Sequence, residues 1–184
     1  MLEELLSVNV YAFLLVFTRI ATAFMILPGF SLNHVNVRSR LVIALAIAFI
    51  MTPLLADRIP PMPGSPFALA GLILGEFLAG AVIGTIGLIL ASGVQVAGTV
   101  ISFVSGLANA LVYDPISQGQ SAIVSGFLSN VGILLLFVTE LHHVMIRAIV
   151  DSYGLFEPGS APLAGDVLEV ITRNVSTTFK MGVQ

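Results

Sequence analysis

Apolar residues fall in long runs along this chain, and charges and prolines mark where the runs stop. Leu5 to Leu27 carries a single charge, Arg19, and is closed by Pro28-Gly29; Leu41 to Ala56 is free of charge between Arg40 and Asp57. About 20 apolar residues cross a hydrocarbon core about 30 Å thick, so both runs predict membrane-scale helices, over 5–27 and 41–56. The second is short for a full crossing, which leaves tilt, a thinned bilayer or burial among other helices open. The stretch Ile59-Pro60-Pro61-Met62-Pro63-Gly64 predicts an extended linker, and Ser65-Pro66 after it predicts an N-cap and first helical residue.

From Pro66 to Val112 the chain has no proline and one charge, Glu76. A single helix of that length would reach about 70 Å, well beyond any bilayer, so the pattern predicts a hairpin of two helices, over 66–91 and 94–112. Ser92-Gly93 and the glycines at 80, 84 and 87 are the break points it offers. Small residues recur at helical spacing: Gly71, Gly75 and Ala79 on one stripe, Gly80 and Gly84 on another, Gly98, Ser102, Gly106 and Ala110 on a third. Such stripes let helix backbones approach closely where lipid supplies no hydrophobic drive, and they predict dense helix-on-helix packing.

The run is broken by Tyr113-Asp114-Pro115-Ile116-Ser117-Gln118-Gly119-Gln120-Ser121, polar and turn-forming; Asp before Pro leaves the helical region and supplies an Asx turn. A long helix over 122–150 is predicted next, apolar until Glu140 and ending among His142, His143, Arg147 and Asp151. After the breaker Glu157 to Pro162, an amphipathic helix over 166–184 is predicted with Val167, Leu168, Ile171, Val175 and Phe179 on one side.

Composition decides what solvent these runs expect. Of 184 residues only 9% are charged, against about 25% in typical globular domains, and 57% are hydrophobic. The fold class expected is therefore all-α, a single helical membrane-associated domain. A net charge of -3 gives no basic patch for nucleic acid, and the absence of cysteine removes disulfides, thiolate metal sites and cysteine nucleophiles. No catalytic residue and no cofactor is assigned: Glu76 and Asp114 lie in unlike contexts and do not make a facing carboxylate pair, and no phosphate-binding Gly-Lys motif occurs. Glu140, His142 and His143 do not assemble a metal site, since adjacent histidines point to different helix faces. Arg19 is the costly residue. A charge at mid-helix costs about 2.5–3.5 kcal/mol on insertion scales, so it needs a partner or a wet route: a carboxylate, from Glu76 or from a neighbouring subunit, is expected, and reach to lipid headgroups at a local bilayer defect is the alternative.

The ordered set Phe17-x-Arg19, Pro28, Arg38-x-x-Leu41, Ala44-Leu45-Ala46, Pro53, Glu76-x-x-x-Gly80-x-x-Ile83-Gly84, Gly98, Gly106 and Asp114-Pro115 resembles the FliR/SctT family of flagellar and type III secretion export-gate subunits. The resemblance covers most of the chain. Members of that family continue through further hydrophobic helices, whereas this sequence stops at Met181-Gly182-Val183-Gln184, so the family's C-terminal helices are expected to be absent.

The resemblance implies an all-helical subunit of the bacterial inner membrane at the flagellar basal body. It would be wound with FliP and FliQ into a closed pore, joined by an FlhB-like subunit, with unfolded secretion substrates in transit. It also implies that the loop at about 106–121 plugs the pore. On these positions the plug comprises Gly106, Leu107, Leu111, Val112, Tyr113, Asp114, Pro115, Ile116, Ser117, Gln118, Gly119, Gln120 and Ser121. Arg19 and Glu76 are the intramembrane charges expected to serve assembly, and Gly71, Gly75, Gly80, Gly84, Gly98 and Ser102 the packing positions. A different class of reading stays open: a small secondary transporter or channel in which Gly106 to Ser121 is a re-entrant segment.

Overall fold

A computed structural model describes residues 2–31, 35–107, 111–114, 116, 119–158 and 164–183, with side chains left out at 2–9, 113, 119 and 164–170. Its elements are α1 (Leu2–Ile26), α2 (Val37–Leu55), α3 (Pro66–Val104), β1 (Leu111–Asp114), β2 (Gly119–Ala122), α4 (Ile123–Val138), α5 (Leu141–Leu155) and α6 (Ala164–Val183). Among the described residues the regular structure is helical save for one two-stranded hairpin, and Val37–Arg58 and Pro66–Val104 are each long and apolar enough to cross a bilayer.

α2 and α3 start where a side chain can satisfy their free N–H groups. Asn36 Oδ1 accepts from the Arg38 N–H at 3.0 Å to open α2, and Ser65 Oγ accepts from the Ala68 N–H at 3.2 Å to open α3. The core is built on α1: Val16, Ile20, Ala23, Phe24 and Leu27 pack with Ala44, Ala48 and Leu55 of α2 and with Ile149 and Tyr153 of α5.

α3 is the spine. The hairpin expected over 66–91 and 94–112 is not formed: α3 runs unbroken for 39 residues, about 58 Å, and stops at Val104. The glycines offered as break points are instead contact points. A Cβ at Gly80 would meet the Arg19 carbonyl oxygen, one at Gly84 would lie 2.7 Å from Ile26 Cβ, and one at Gly93 would lie 3.0 Å from Thr178 Cγ2. A glycine covered by a neighbouring helix is held in helical geometry, and α1 and α6 cover these. Ser92 keeps its hydroxyl within the helix, donating to the Ile89 carbonyl at 2.6 Å.

The expected helix over 122–150 is also corrected. It is two helices, α4 and α5, bent by 73° at Thr139 and Glu140. Thr139 caps α4, its N–H and hydroxyl both donating to the Leu135 carbonyl at 2.8 and 2.7 Å, and Glu140 takes a left-handed conformation with φ 59°. α6 differs from expectation in its packed side. Thr178 and Gly182 face α3, where a Cβ on Gly182 would lie 2.9 Å from Val96 Cγ1, while Val175 and Phe179 are exposed.

Candidate functional site

Arg19 and Glu76 meet at the crossing of α1 and α3, both 1% exposed. Arg19 Nε donates to Glu76 Oε2 at 2.7 Å and Nη2 to Oε1 at 3.0 Å, the two-pronged geometry that gives the strongest charge-assisted pairs. Close approach is possible because Gly80, one turn on from Glu76, puts bare backbone against the Arg19 carbonyl. The guanidinium then reaches a third helix. Nη1 donates to Ser152 Oγ at 3.3 Å, Nη2 to the Phe156 carbonyl at 3.0 Å, and the Tyr153 ring lies 3.9 Å from Cζ. A cation in apolar surroundings is tolerated only when paired and hydrogen-bonded, and Arg19 is both. Ser152, Tyr153 and Phe156 carry no motif, and only the 73° bend that returns α5 to α1 brings them there; sequence reasoning missed them for that reason.

The second constellation is the segment after α3. The helix ends in a Schellman turn: Gly106, at φ 74°, donates to the Phe103 carbonyl at 3.3 Å and Leu107 to the Ser102 carbonyl at 2.9 Å. Gly106 therefore terminates the helix and does not continue the Gly98–Ser102 stripe; Ala110 lies outside the described residues. Where a loop was expected there is an antiparallel hairpin, with Leu111 opposite Ala122, Val112 opposite Ser121, Tyr113 opposite Gln120 and Asp114 opposite Gly119. Asp114 is fully buried; its Oδ1 accepts from the Ile116 N–H at 2.9 Å, closing the Asx turn, and its Oδ2 has no partner among the described residues. Leu107, Leu111, Val112 and Gln120 are exposed, whereas Ser121 and Ile116 are half-buried. Pro115, Ser117 and Gln118 lie outside the described residues, as do the side chains of Tyr113 and Gly119.

The hairpin reaches the core. Ile116 helps line an apolar cavity of about 670 Å³ between α1, α3, α4 and α5, together with Leu27, Ile83, Leu90, Leu136 and Met145. Below it α3 and α4 touch backbone to backbone: a Cβ at Gly98 would overlap Ser125, whose hydroxyl donates to the Gln95 carbonyl at 3.0 Å, and Ser102, Ser125, Gly126 and Ser129 are all buried. Gly71 and Gly75 are different, since a Cβ on either would meet nothing within 4 Å among the described residues. Glu140 and His143 form an exposed contact of 3.9 Å and the His142 and His143 ring centres lie 4.1 Å apart with the rings tilted by 36°; no cluster of three metal-ligating side chains occurs among the described residues.

Residues 10–184 match the family described as bacterial export proteins, family 1. The chain is 34% identical over 176 residues to the flagellar biosynthetic protein FliR of Caulobacter vibrioides, covering 96% of this chain and 70% of that protein. It is 30% identical to the protein of that name from Bacillus subtilis, covering 77% of this chain and 54% of the relative. With the protein of that name from Buchnera aphidicola the identity is 26%, over 83% of this chain and 56% of the relative. The chain thus spans little more than half the length of two of these relatives.

Proposed function

The chain belongs to bacterial export proteins, family 1, and from that premise we propose that it is a structural and gating subunit of the flagellar protein-export gate in the bacterial inner membrane. Its role is non-enzymatic. Its partners are FliP, FliQ and an FlhB-like subunit, and unfolded secretion substrates pass through the pore they form together. The Arg19–Glu76 pair sets the crossing of α1 and α3 on which the assembly is built, and the β1–β2 hairpin is the plug.

One observation carries the plug reading: a short polar hairpin interrupts the apolar helices, anchored by a buried Asp114 while Leu111, Val112 and Gln120 stay exposed on its strands. A closure of that kind is fixed at its turn by hydrogen bonds and seals by apolar side chains, which water replaces on opening. Deleting Asp114 to Ser121 is expected to leave the gate complex assembled and to make cells leak small solutes once the channel is built. An assembled deletion complex as tight as wild type removes the plug assignment. Solute flux through the isolated chain in liposomes would instead favour a small transporter.

A further inference from the structure

Between Gly132 and Gly154 the sequence contains no glycine and no proline, and residues such as Leu134, Leu135, Leu136, Leu141, Met145 and Ala148 favour helix. Local preference there is for one straight helix. The structure bends it by 73°, and the bend falls on Glu140, the single non-glycine residue with positive φ among those described. Gly29 and Gly106, the described glycines with positive φ, adopt such angles without a Cβ penalty; Glu140 does not. A strained angle persists only where the surroundings enforce it.

What enforces it sits at the far end of α5. Arg19 Nη1 holds Ser152 Oγ, Nη2 holds the Phe156 carbonyl, and the guanidinium lies against Tyr153, while Glu76 fixes the guanidinium from behind. Ile149 and Tyr153 are buried in the core by the same turn of the chain. The apolar cavity of about 670 Å³ lies between α3 and the two arms of the bend.

We propose that α4 and α5 form a two-state hinge, bent and latched by Arg19 in this structure and straightening into one helix from Ile123 to Leu155 when the latch releases. Release withdraws α5 from α1, opens the cavity along α3 and relieves the left-handed angle at Glu140. The ion pair is thereby the trigger end of the device and Glu140 its pivot. The hinge does not rest on the plug assignment: its latch and pivot, Arg19, Glu76 and Glu140, lie outside Gly106 to Ser121, although Ile116 of that segment borders the cavity.

The chain has no cysteine, so two introduced ones report on it cleanly. Phe127 on α4 is 64% exposed and Leu155 on α5 is 82% exposed, and undoing the 73° bend lengthens their separation by about 8 Å at 1.5 Å per residue. Nitroxide labels at Phe127→Cys and Leu155→Cys are measured by pulsed dipolar spectroscopy in the purified gate complex, with its partner subunits made cysteine-free. The expected result is a single short distance in the otherwise unaltered chain. Arg19→Met with Glu76→Met, which removes the latch without orphaning a charge, adds a component about 8 Å longer, and Glu140→Gly in that background suppresses it. Where the double variant does not assemble, Ser152→Ala with Tyr153→Leu loosens the latch and spares the ion pair. An unchanged short distance in the assembled latch variant overturns the hinge, and so does a long component that Glu140→Gly leaves in place.

Discussion

Arg19 ties α1 to α3 and to the end of α5 from one guanidinium, and each contact depends on the others. Without Glu76 the cation would stand unpaired in an apolar core; without Arg19 the carboxylate would. Removing one member of a buried pair costs about 3–5 kcal/mol, mostly the penalty of the charge left behind, whereas replacing both with apolar residues of similar volume is often near neutral. Arg19→Gln and Glu76→Gln are therefore each expected to lower the melting temperature of the detergent-solubilised chain and the yield of assembled complex. Arg19→Met with Glu76→Met is expected to recover most of both. Two single variants that assemble like wild type would dismiss the pair as a structural element.

At the scale of the element, what matters is which glycines are covered. A Cβ at Gly98 runs into the Ser125 backbone, while one at Gly132 sits 3.6 Å from Val94 Cγ1, an ordinary contact. Gly98→Ala is expected to destabilise by about 1–3 kcal/mol through overpacking. Gly132→Ala is expected to stabilise by up to about 1 kcal/mol, because alanine has less freedom to lose in a helix interior. Opposite shifts in thermal unfolding followed by circular dichroism are the check; two stabilising shifts would mean that the α3–α4 contact is looser at Gly98 than this structure has it, and two destabilising ones that it is tighter at Gly132.

The same covered glycines explain which elements could be read from the sequence. Charge-free runs and proline punctuation locate α1 and α2, and Ser65-Pro66 locates the start of α3, since those signals act on their own neighbours. Whether Gly80, Gly84 and Gly93 bend a helix or seat another helix depends on α1 and α6, which are distant in sequence, so the expected break in α3 failed. The bend at Glu140 failed for the converse reason: no glycine or proline marks it, its local stop is a capping Thr139, and the contacts of Ser152, Tyr153 and Phe156 that accompany it are distant in sequence. Arg19 and Glu76 stood out as lone charges in apolar runs. The hairpin's polarity and turn were legible, but its strand pairing, which needs Leu111 and Ala122 face to face, was not.

At the scale of the whole molecule, the surface is what an isolated soluble protein could not carry. Phe49 and Leu54 of α2 are 72% and 70% exposed, and Phe67 and Leu74 of α3 are 90% and 57% exposed. Lipid can cover such side chains, but it gains nothing from bare backbone. Gly71 and Gly75 lie on the first half of α3, with no atom of the described residues within 4 Å of where a Cβ would be, whereas Gly80 and Gly84 on the same helix are filled by α1. Glycines one helical turn apart are where a second helix packs closely in a membrane. Gly75→Leu is therefore expected to leave the melting curve of the isolated chain near that of wild type and to reduce recovery of the co-expressed gate complex on size exclusion. Gly84→Leu, which must displace Ile26, is expected to lower both. A Gly75→Leu chain that enters the complex at wild-type yield would assign this track to lipid, and the contact with sister subunits would then have to be sought on α2 and α6.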